Sequence, residues 1–230
     1  MKWILRSLIR GLVKAVARVE VRGKENIPTS GTFIIATNHI GILDIIMAYY
    51  ALNRWDMFIL VAEKWGKIGW INWLGRQLNF IFIDRFNPDL KALREVIGRM
   101  QHGQVLVIAP EGTRSRTGAL IEGKPGVSYL AARAGFPIIP VAITGTEDKV
   151  ILGNLKKLRR SFITVTGGQT FNLQPLPVKD RDQALGKYTD EIMCQIAAIL
   201  PESYHGVYSN HPRLMEILAQ RRTNPNPPPQ

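Results

Sequence analysis

The sequence predicts a single α/β domain with a largely parallel central sheet flanked by helices. Two observations support this fold class. Short β-rich runs alternate with stretches of helical periodicity along most of the 230 residues. Hydrophobic residues make up 46% of the chain, which is enough for one core at this length.

The first predicted element is an amphipathic helix, assigned to a membrane-docking segment at residues 1–22. In a helical projection of residues 2–17, leucines, isoleucines and valines fall on one side, and basic residues recur every four positions on the other. No acidic residue precedes Glu20. Such a helix can lie on anionic lipid or pack on its own domain, and the purely basic polar face favours lipid.

The rest of the chain is assigned to a domain at 23–222, with a disordered proline-rich tail at 223–230. Predicted strands lie at residues 32–37, Met57–Ala62, Phe80–Ile83, 105–109, 137–144 and 162–166. Predicted helices lie at residues 43–52, 65–76, 88–101, Gly126–Ala134 and 184–200, and a short one follows Pro212. The helix at 65–76 contains Trp65, Trp70 and Trp73, which fit either a core or a membrane patch.

Composition and net charge restrict the classes of binding partner that we expect. The net charge is +12 with a pI near 10.1, which favours a polyanion such as nucleic acid or an anionic membrane. The single cysteine, Cys194, favours a reducing compartment. No apolar run approaches the ~20 residues that span a bilayer. Four scattered histidines give no metal signature, so we expect no metal and no cofactor.

The first candidate site is His39 with Asp44, five positions later. His39 follows a predicted strand, and Asp44 begins the next helix. If the carboxylate accepts a hydrogen bond from one imidazole nitrogen, the other nitrogen becomes a better base for an alcohol. The alternative is a surface histidine beside a helix-terminal carboxylate.

The second candidate site is the loop at residues 110–116, directly after the predicted strand at 105–109. Its members are Glu111, Gly112, Thr113 and two arginines, Arg114 and Arg116. Arginines with free backbone amides suit a phosphate monoester. Glu111 would instead hold an arginine or an acceptor hydroxyl. A turn with solvated charges remains the alternative, and the spacing does not match a nucleotide-binding phosphate loop.

Together these blocks resemble the glycerophospholipid acyltransferase family, best known for 1-acylglycerol-3-phosphate acyltransferases. The family's four blocks occur in order as NHIGILD at residues 38–44, FIFIDR at 80–85, PEGTRS at 110–115 and IIPVA at 138–142. Two departures are Gly41, where many lysophosphatidate-using members have serine, and Leu78-Asn79 where a glycine is common.

The resemblance implies a role for each matching residue. His39 would be the general base and Asp44 would orient it. The acceptor's phosphate or glycerol would be held by Arg85, Glu111, Gly112, Thr113 and Arg114. Lys64 resembles a basic position common before the second block, although it also fits a solvated lysine.

The implied reaction transfers a fatty acyl group from acyl-CoA or an acyl carrier protein to the sn-2 hydroxyl of 1-acylglycerol 3-phosphate, giving phosphatidic acid. The implied partners are a lysophospholipid acceptor, an acyl thioester donor and an anionic membrane surface, without nucleic acid. We expect a peripheral or monotopic protein on the cytoplasmic face of the membrane. Other acceptors (glycerol 3-phosphate, another lysophospholipid or a lyso-aminolipid) stay open, as does a non-catalytic basic module that binds membrane or nucleic acid.

Overall fold

The computed structural model describes residues 2–52, 54–84 and 90–223, and for residues 2–6 the backbone alone. Its strands are β1 (Ala17–Arg22), β2 (Ile34–Thr37), β3 (Met57–Ala62), β4 (Phe80–Ile83), β5 (Val105–Ile108), β6 (Ile138–Thr144) and β7 (Ser161–Gly167). Its α-helices are α1 (Lys2–Val16), α2 (Asp44–Ala51), α3 (Glu63–Gly66), α4 (Gly69–Gln77), α5 (Leu90–Gln101), α6 (Gly126–Ala134), α7 (Asp148–Lys156), α8 (Arg181–Ala197) and α9 (Pro212–Thr223).

The seven strands form one sheet in the order β1-β7-β6-β2-β5-β3-β4. All neighbouring pairs are parallel except β6 and β7, which are antiparallel. The central strands β2, β5 and β6 are apolar on both faces, as expected for strands covered on both sides. The predicted α/β class and the largely parallel sheet are confirmed.

The helices divide between the two faces of the sheet. Residues of α5, α6, α8 and α9 pack in one cluster with Ile34, Phe58 and Leu106. Residues of α1, α2 and α4 pack in a second cluster with Ile35 and Val107. Because side chains alternate across a strand, neighbours such as Ile34 and Ile35 belong to different faces. Helix α7 packs with α1, α2 and α4 through Ile151, so each face of the sheet is covered by its own set of helices.

The predicted segment 1–22 needs correction, because it is not one helix. The helix ends at Val16, and Ala17–Arg22 pairs with β7 as an edge strand. Charged Arg18, Glu20 and Arg22 alternate there with Val19 and Val21, which is strand rather than helix periodicity.

Three further features of the structure can be compared with the predictions. Helix α7 is present in the structure but was not predicted. Thr223 ends α9 and so is not part of a disordered tail, whereas 224–230 lie outside the described residues. Among the helices that are described, none is both long and apolar enough to cross a bilayer.

Parallel strands place their carboxyl ends at one edge of the sheet, where α/β proteins bind ligands. The carboxyl ends of β2, β5 and β6 lie side by side at this edge. The segments that follow them contain His39, Glu111 and Thr146 in that order. The sheet order therefore brings together residues that are about 35 to 105 positions apart in the chain.

Candidate active site

His39 and Asp44 form a hydrogen-bonded pair at this edge. The distance between His39 Nδ1 and Asp44 Oδ2 is 2.7 Å. An ionised carboxylate can only accept, so Nδ1 carries the proton and Nε2 presents its lone pair. The His39 side chain is 24% exposed and that of Asp44 is 4% exposed, so the ring is accessible while its partner is buried. This is the geometry of a general base held in one tautomer.

Asp44 accepts hydrogen bonds from three further donors. The amides of Ile40 and Gly41 donate to Oδ2 over 2.7 and 2.9 Å, because the loop folds back onto the first turn of α2. The hydroxyl of Thr146, from the segment after β6, donates to Oδ1 over 2.5 Å. These donors satisfy a carboxylate that would otherwise be costly to bury.

Thr146 also explains why residue 41 is glycine. A Cβ atom at Gly41 would lie 1.8 Å from the carbonyl oxygen of Thr146, which is far inside contact distance. The serine common at this position in the resembling family does not fit this backbone. The departure noted in the sequence therefore has a local steric cause, and a threonine from another strand supplies a hydroxyl to Asp44.

Asn38 fixes the loop to β6 from the other side. Its amide nitrogen donates to the carbonyl oxygen of Ile143, and its oxygen accepts from the Ile143 amide, both over 2.8 Å. Asn38 is 1% exposed. This paired contact continues the β2–β6 ladder by one side chain and sets the position of His39 directly after it.

Glu111 holds the backbone of His39 rather than an arginine. Its Oε1 accepts from the His39 amide over 2.9 Å, and its Oε2 accepts from the Ile121 amide over 3.1 Å. The Ser115 amide donates to the His39 carbonyl over 2.8 Å. The loop after β5 thus binds both the amide and the carbonyl group of His39. Burial raises the pKa of Glu111 to about 7, although the two N–H donors oppose the shift.

Arg114 is joined to Asp148 in the first turn of α7. Its guanidinium donates to Asp148 Oδ2 over 2.7 Å, and both side chains are more than one third exposed. Asp148 Oδ1 also accepts from the Ile42 amide over 2.9 Å. One carboxylate therefore links Arg114 to the loop that carries His39.

Lys124, which was not predicted, lies over Gly112. Gly112 adopts φ +66°, and a Cβ there would lie 3.1 Å from Lys124 Cδ and 3.8 Å from Lys124 Nζ. The amide of Lys124 donates to the carbonyl of Pro110 over 2.8 Å, which holds the lysine against the loop. No salt bridge within the described chain engages its ammonium group. The sequence signal was a basic residue just before α6, ten positions after Arg114.

The remaining predicted site residues have different outcomes. Thr113 is exposed in the same loop as Glu111. Lys64 is exposed in α3, with its ammonium 5.5 Å from the ring centre of Trp65, and no described hydrogen bond or ion pair joins it to His39 or Glu111. Arg85 lies outside the described residues. The structure thus brings together His39, Asp44, Glu111, Gly112 and Arg114.

Comparisons with known proteins identify the family to which the chain is similar. A family model described as Acyltransferase matches residues 18–144. The 1-acyl-sn-glycerol-3-phosphate acyltransferase alpha of Mus musculus is 32% identical over 138 residues, which are 57% of this chain and 47% of that protein. The chain therefore spans about half the length of the mammalian relatives it matches.

Two bacterial proteins match over more of their length. The 1-acyl-sn-glycerol-3-phosphate acyltransferase of Bacillus subtilis is 27% identical over 73% of this chain and 82% of its own. The crystal structure of the 1-acyl-sn-glycerophosphate (LPA) acyltransferase PlsC from Thermotoga maritima has a TM-score of 0.62 at 27% identity, covering 83% of this chain and 77% of that one.

The hydrogen bond from Thr146 to Asp44 can be tested by Thr146→Val. This change leaves a buried carboxylate oxygen without its donor, so we expect the free energy of unfolding to fall by about 1–3 kcal/mol. Thr146→Ser keeps the hydroxyl and should recover most of the loss. Thr144→Val is the matched control, because Thr144 makes no side-chain hydrogen bond within the described residues. Denaturant unfolding of the four proteins gives the comparison, and equal stability of Thr146→Val and wild type would contradict it.

The buried carboxyl of Glu111 should leave a signature in stability against pH. Its pKa is about 7 in the folded protein and 4.5 in the reference state, so the unfolded chain loses this proton at lower pH. The contribution of Glu111 to the free energy of unfolding should therefore decrease as pH rises from 4.5 to 7. Denaturant unfolding across this range should show that decrease in wild type and in Glu122→Gln, an exposed control, but not in Glu111→Gln. Parallel curves for wild type and Glu111→Gln would refute the assignment.

Proposed function

We propose that this chain, which belongs to the acyltransferase family, transfers a fatty acyl group from a thioester to the free hydroxyl of 1-acylglycerol 3-phosphate. Family membership follows from the model that matches residues 18–144, more than half of the chain. The acceptor is inferred from the names of the mammalian and bacterial relatives, and from a cationic loop beside the base.

The observation that carries the proposal is the accessible Nε2 of His39, whose Nδ1 is bound to Asp44. The acceptor hydroxyl gives its proton to Nε2 as its oxygen attacks the thioester carbonyl carbon. The tetrahedral intermediate collapses, the carbon–sulfur bond breaks, and the imidazolium returns the proton to the leaving thiolate. The products are an ester and a free thiol. Because the thioester is already activated, the chain needs no nucleophile of its own.

Asp44 stabilises the imidazolium that forms during this proton transfer. Its buried carboxylate lies 2.7 Å from Nδ1 and is fixed by three other donors, so it does not reorganise as the ring becomes charged. We assign Glu111 a positioning role. Its two oxygens hold the backbone amides of His39 and Ile121, which leaves the acceptor phosphate to basic groups.

The acceptor phosphate is proposed to bind at Gly112 between Lys124 and Arg114. The side chain of Lys124 lies against Gly112, with Nζ 3.8 Å from the position that a Cβ atom would take there, so its ammonium can bind an anion beside this loop. Arg114 can leave its partly exposed ion pair with Asp148 and bind a phosphate oxygen instead, because exposed ion pairs contribute little to the free energy of folding. Thr113, Arg85 and Lys64 remain proposed contributors to acceptor binding.

The donor and the location are also proposals. Either acyl-CoA or an acyl carrier protein can supply the thioester, and phosphatidic acid would be the product. The basic amphipathic pattern of α1 supports peripheral or monotopic attachment to an anionic surface, which for a lipid-synthesising enzyme would be the cytoplasmic face. Leu8 and Leu12 of α1 are more than half exposed, as a lipid-contacting face requires.

Replacing His39 by alanine should lower acceptor-dependent turnover by roughly 10²–10⁴-fold, because the general base is removed while the fold is kept. The measurement is thiol release from a long-chain acyl-CoA, with and without lysophosphatidate. His102→Ala is the matched control, since His102 is exposed in the turn after α5.

Undiminished turnover by His39→Ala would overturn the base assignment. If the wild type releases no thiol, the same assay is repeated with an acyl carrier protein thioester. Glycerol 3-phosphate, other lysophospholipids and a lyso-aminolipid are then tested in turn as acceptors. The comparison of acceptors also tests whether Gly41, where many lysophosphatidate-using members have serine, accompanies a different acceptor. Failure of every arm would leave the non-catalytic basic module as the function.

Replacing Lys124 by methionine should raise the KM for lysophosphatidate by about 10–100-fold, because a hydrogen bond to a charged group contributes about 1.5–3 kcal/mol. Lys179→Met provides a control at an exposed lysine in the segment before α8. Monoacylglycerol, which lacks the phosphate, tests the cause, since its turnover should not respond to Lys124→Met. An unchanged KM for lysophosphatidate would exclude Lys124 from the phosphate site.

A further inference from the structure

The connection from β3 to β4 exposes an unusual number of aromatic side chains. Trp70 and Trp73 of α4 are 65% and 60% exposed, and Trp65 and Ile68 are each more than one third exposed. The sequence alone left these tryptophans between core and surface. The structure places them at the surface, where three tryptophans within nine positions form an apolar patch that a soluble chain does not need.

The core does not require this patch, because α4 packs through other residues. Leu78, which follows α4, is 3% exposed, and Leu74 packs against the same cluster. Trp70 and Trp73 lie away from that contact. Helix α4 therefore has an inward apolar face that stabilises the fold and an outward one that lacks a partner among the described residues.

Basic side chains are interleaved with the tryptophans. Lys67 and Arg76 line an open cleft of about 360 Å³ together with Asn72, Trp73, Gly66 and Gly69. No acidic residue lines the cleft, and Glu63 is the single acid between residues 63 and 77. The cleft therefore combines two cations with the edge of an indole ring, which suits an anionic headgroup above an apolar layer.

The patch lies on the same face of the sheet as α1. Val13 of α1, Met47 of α2 and Leu74 of α4 all pack in one cluster. Helix α1 exposes Leu8 and Leu12, and the loop after His39 exposes Ile42. Helix α3 begins where β3 ends, next to the end of β5 that leads to Glu111. The exposed tryptophans thus lie on the same face of the sheet as the basic helix, on a connection that begins at the active-site edge.

We propose that Trp65, Ile68, Trp70 and Trp73, with Lys67 and Arg76, form a surface that docks on an anionic phospholipid bilayer. The indole rings enter the headgroup layer, and Lys67 and Arg76 bind phosphate groups of the lipids. The purpose of this docking rests on the proposed function, because the acceptor resides in the bilayer. The binding itself does not depend on catalysis.

A bilayer fits these residues better than a protein partner. Tryptophans separated by lysine and arginine are typical of a membrane interface, where the rings are apolar at one end and hydrated at the other. An acidic carrier protein or a second copy of this chain would need a complementary surface that excludes water from the two cations. These occupants are therefore treated as competing outcomes of the test.

The test uses the full chain and two kinds of vesicle, one of phosphatidylcholine and one in which a third of the lipid is phosphatidylglycerol. Sedimentation should show tight binding to the anionic vesicles. The double variants Trp70→Ser/Trp73→Ser and Lys67→Glu/Arg76→Glu should each bind these vesicles about tenfold more weakly or worse. Controls on the opposite face, Val207→Ser/Met215→Ser and Lys187→Glu/Arg222→Glu, should bind like wild type.

Tryptophan fluorescence identifies the occupant. Lipids with brominated acyl chains should quench the emission of wild type, and the quenching should fall in Trp70→Ser/Trp73→Ser. Vesicle binding by both patch variants equal to that of wild type would overturn the proposal. So would a loss of self-association or of carrier-protein binding in the patch variants while their vesicle affinity stays unchanged.

Turnover separates this proposal from the proposed function. The patch variants should keep wild-type turnover with a short-chain, water-soluble acceptor and lose at least about tenfold with a long-chain acceptor in anionic vesicles. Equal loss with both acceptors would show that the patch serves the active site and not docking. A wild type that is inactive with every acceptor but still binds through the patch would refute the proposed function alone.

Discussion

The buried carboxylate of Asp44 constrains the surrounding structure more than any other group in the site. A charge that is 4% exposed is stable only if its oxygens are satisfied, and the required donors come from two segments of the chain. The ring of His39 and the amide of Ile40 come from one loop. The hydroxyl of Thr146 comes from the end of another strand. The hydroxyl of Thr146 reaches Asp44 because β2 and β6 are neighbours, so the order of the sheet is a condition of the geometry of the site.

Glu111 imposes the matching constraint on the other side of β2. It binds the amide of His39 while Ser115 binds the carbonyl, so the strands β5 and β6 hold the same loop from opposite sides. Bringing Gly41 against the carbonyl of Thr146 leaves no space for a side chain. The histidine is consequently fixed through its backbone and its ring together, which is the preorganisation that a general base requires.

The sequence was most informative where a residue's role is local. The apolar runs of β2 to β6 are continuous and bounded by turns, so periodicity predicted these strands. The His39–Asp44 spacing suggested a pair, and the resemblance of its block to the acyltransferase family gave the pair its predicted role. The prediction extended the N-terminal helix through strand β1, because Val19 and Val21 follow the apolar residues of the helix without an intervening turn. Thr146, Asp148 and Lys124 act through contacts across strands or loops, and no spacing in the chain records which strand ends become neighbours. The sequence also could not predict whether the tryptophans are buried or exposed, because this depends on which side of α4 packs against the core.

The division of the helices between the two faces of the sheet determines where apolar side chains remain exposed. Helices α5, α6, α8 and α9 close one face with a continuous apolar cluster that includes Met193 and Leu214. On the other face, α1 and α4 satisfy the core with one side and leave apolar side chains outward on the other. Ile42 is exposed on the loop that carries His39, and its amide donates to Asp148, so this apolar residue is held in place. In the proposed function, the acceptor would lie with its tail along this face and its phosphate at the basic loop after β5. The core residues and the exposed apolar residues then lie on two sides of the same helices. Under the proposed function, this arrangement would let a chain with no membrane-spanning helix among its described residues reach an acceptor in a bilayer.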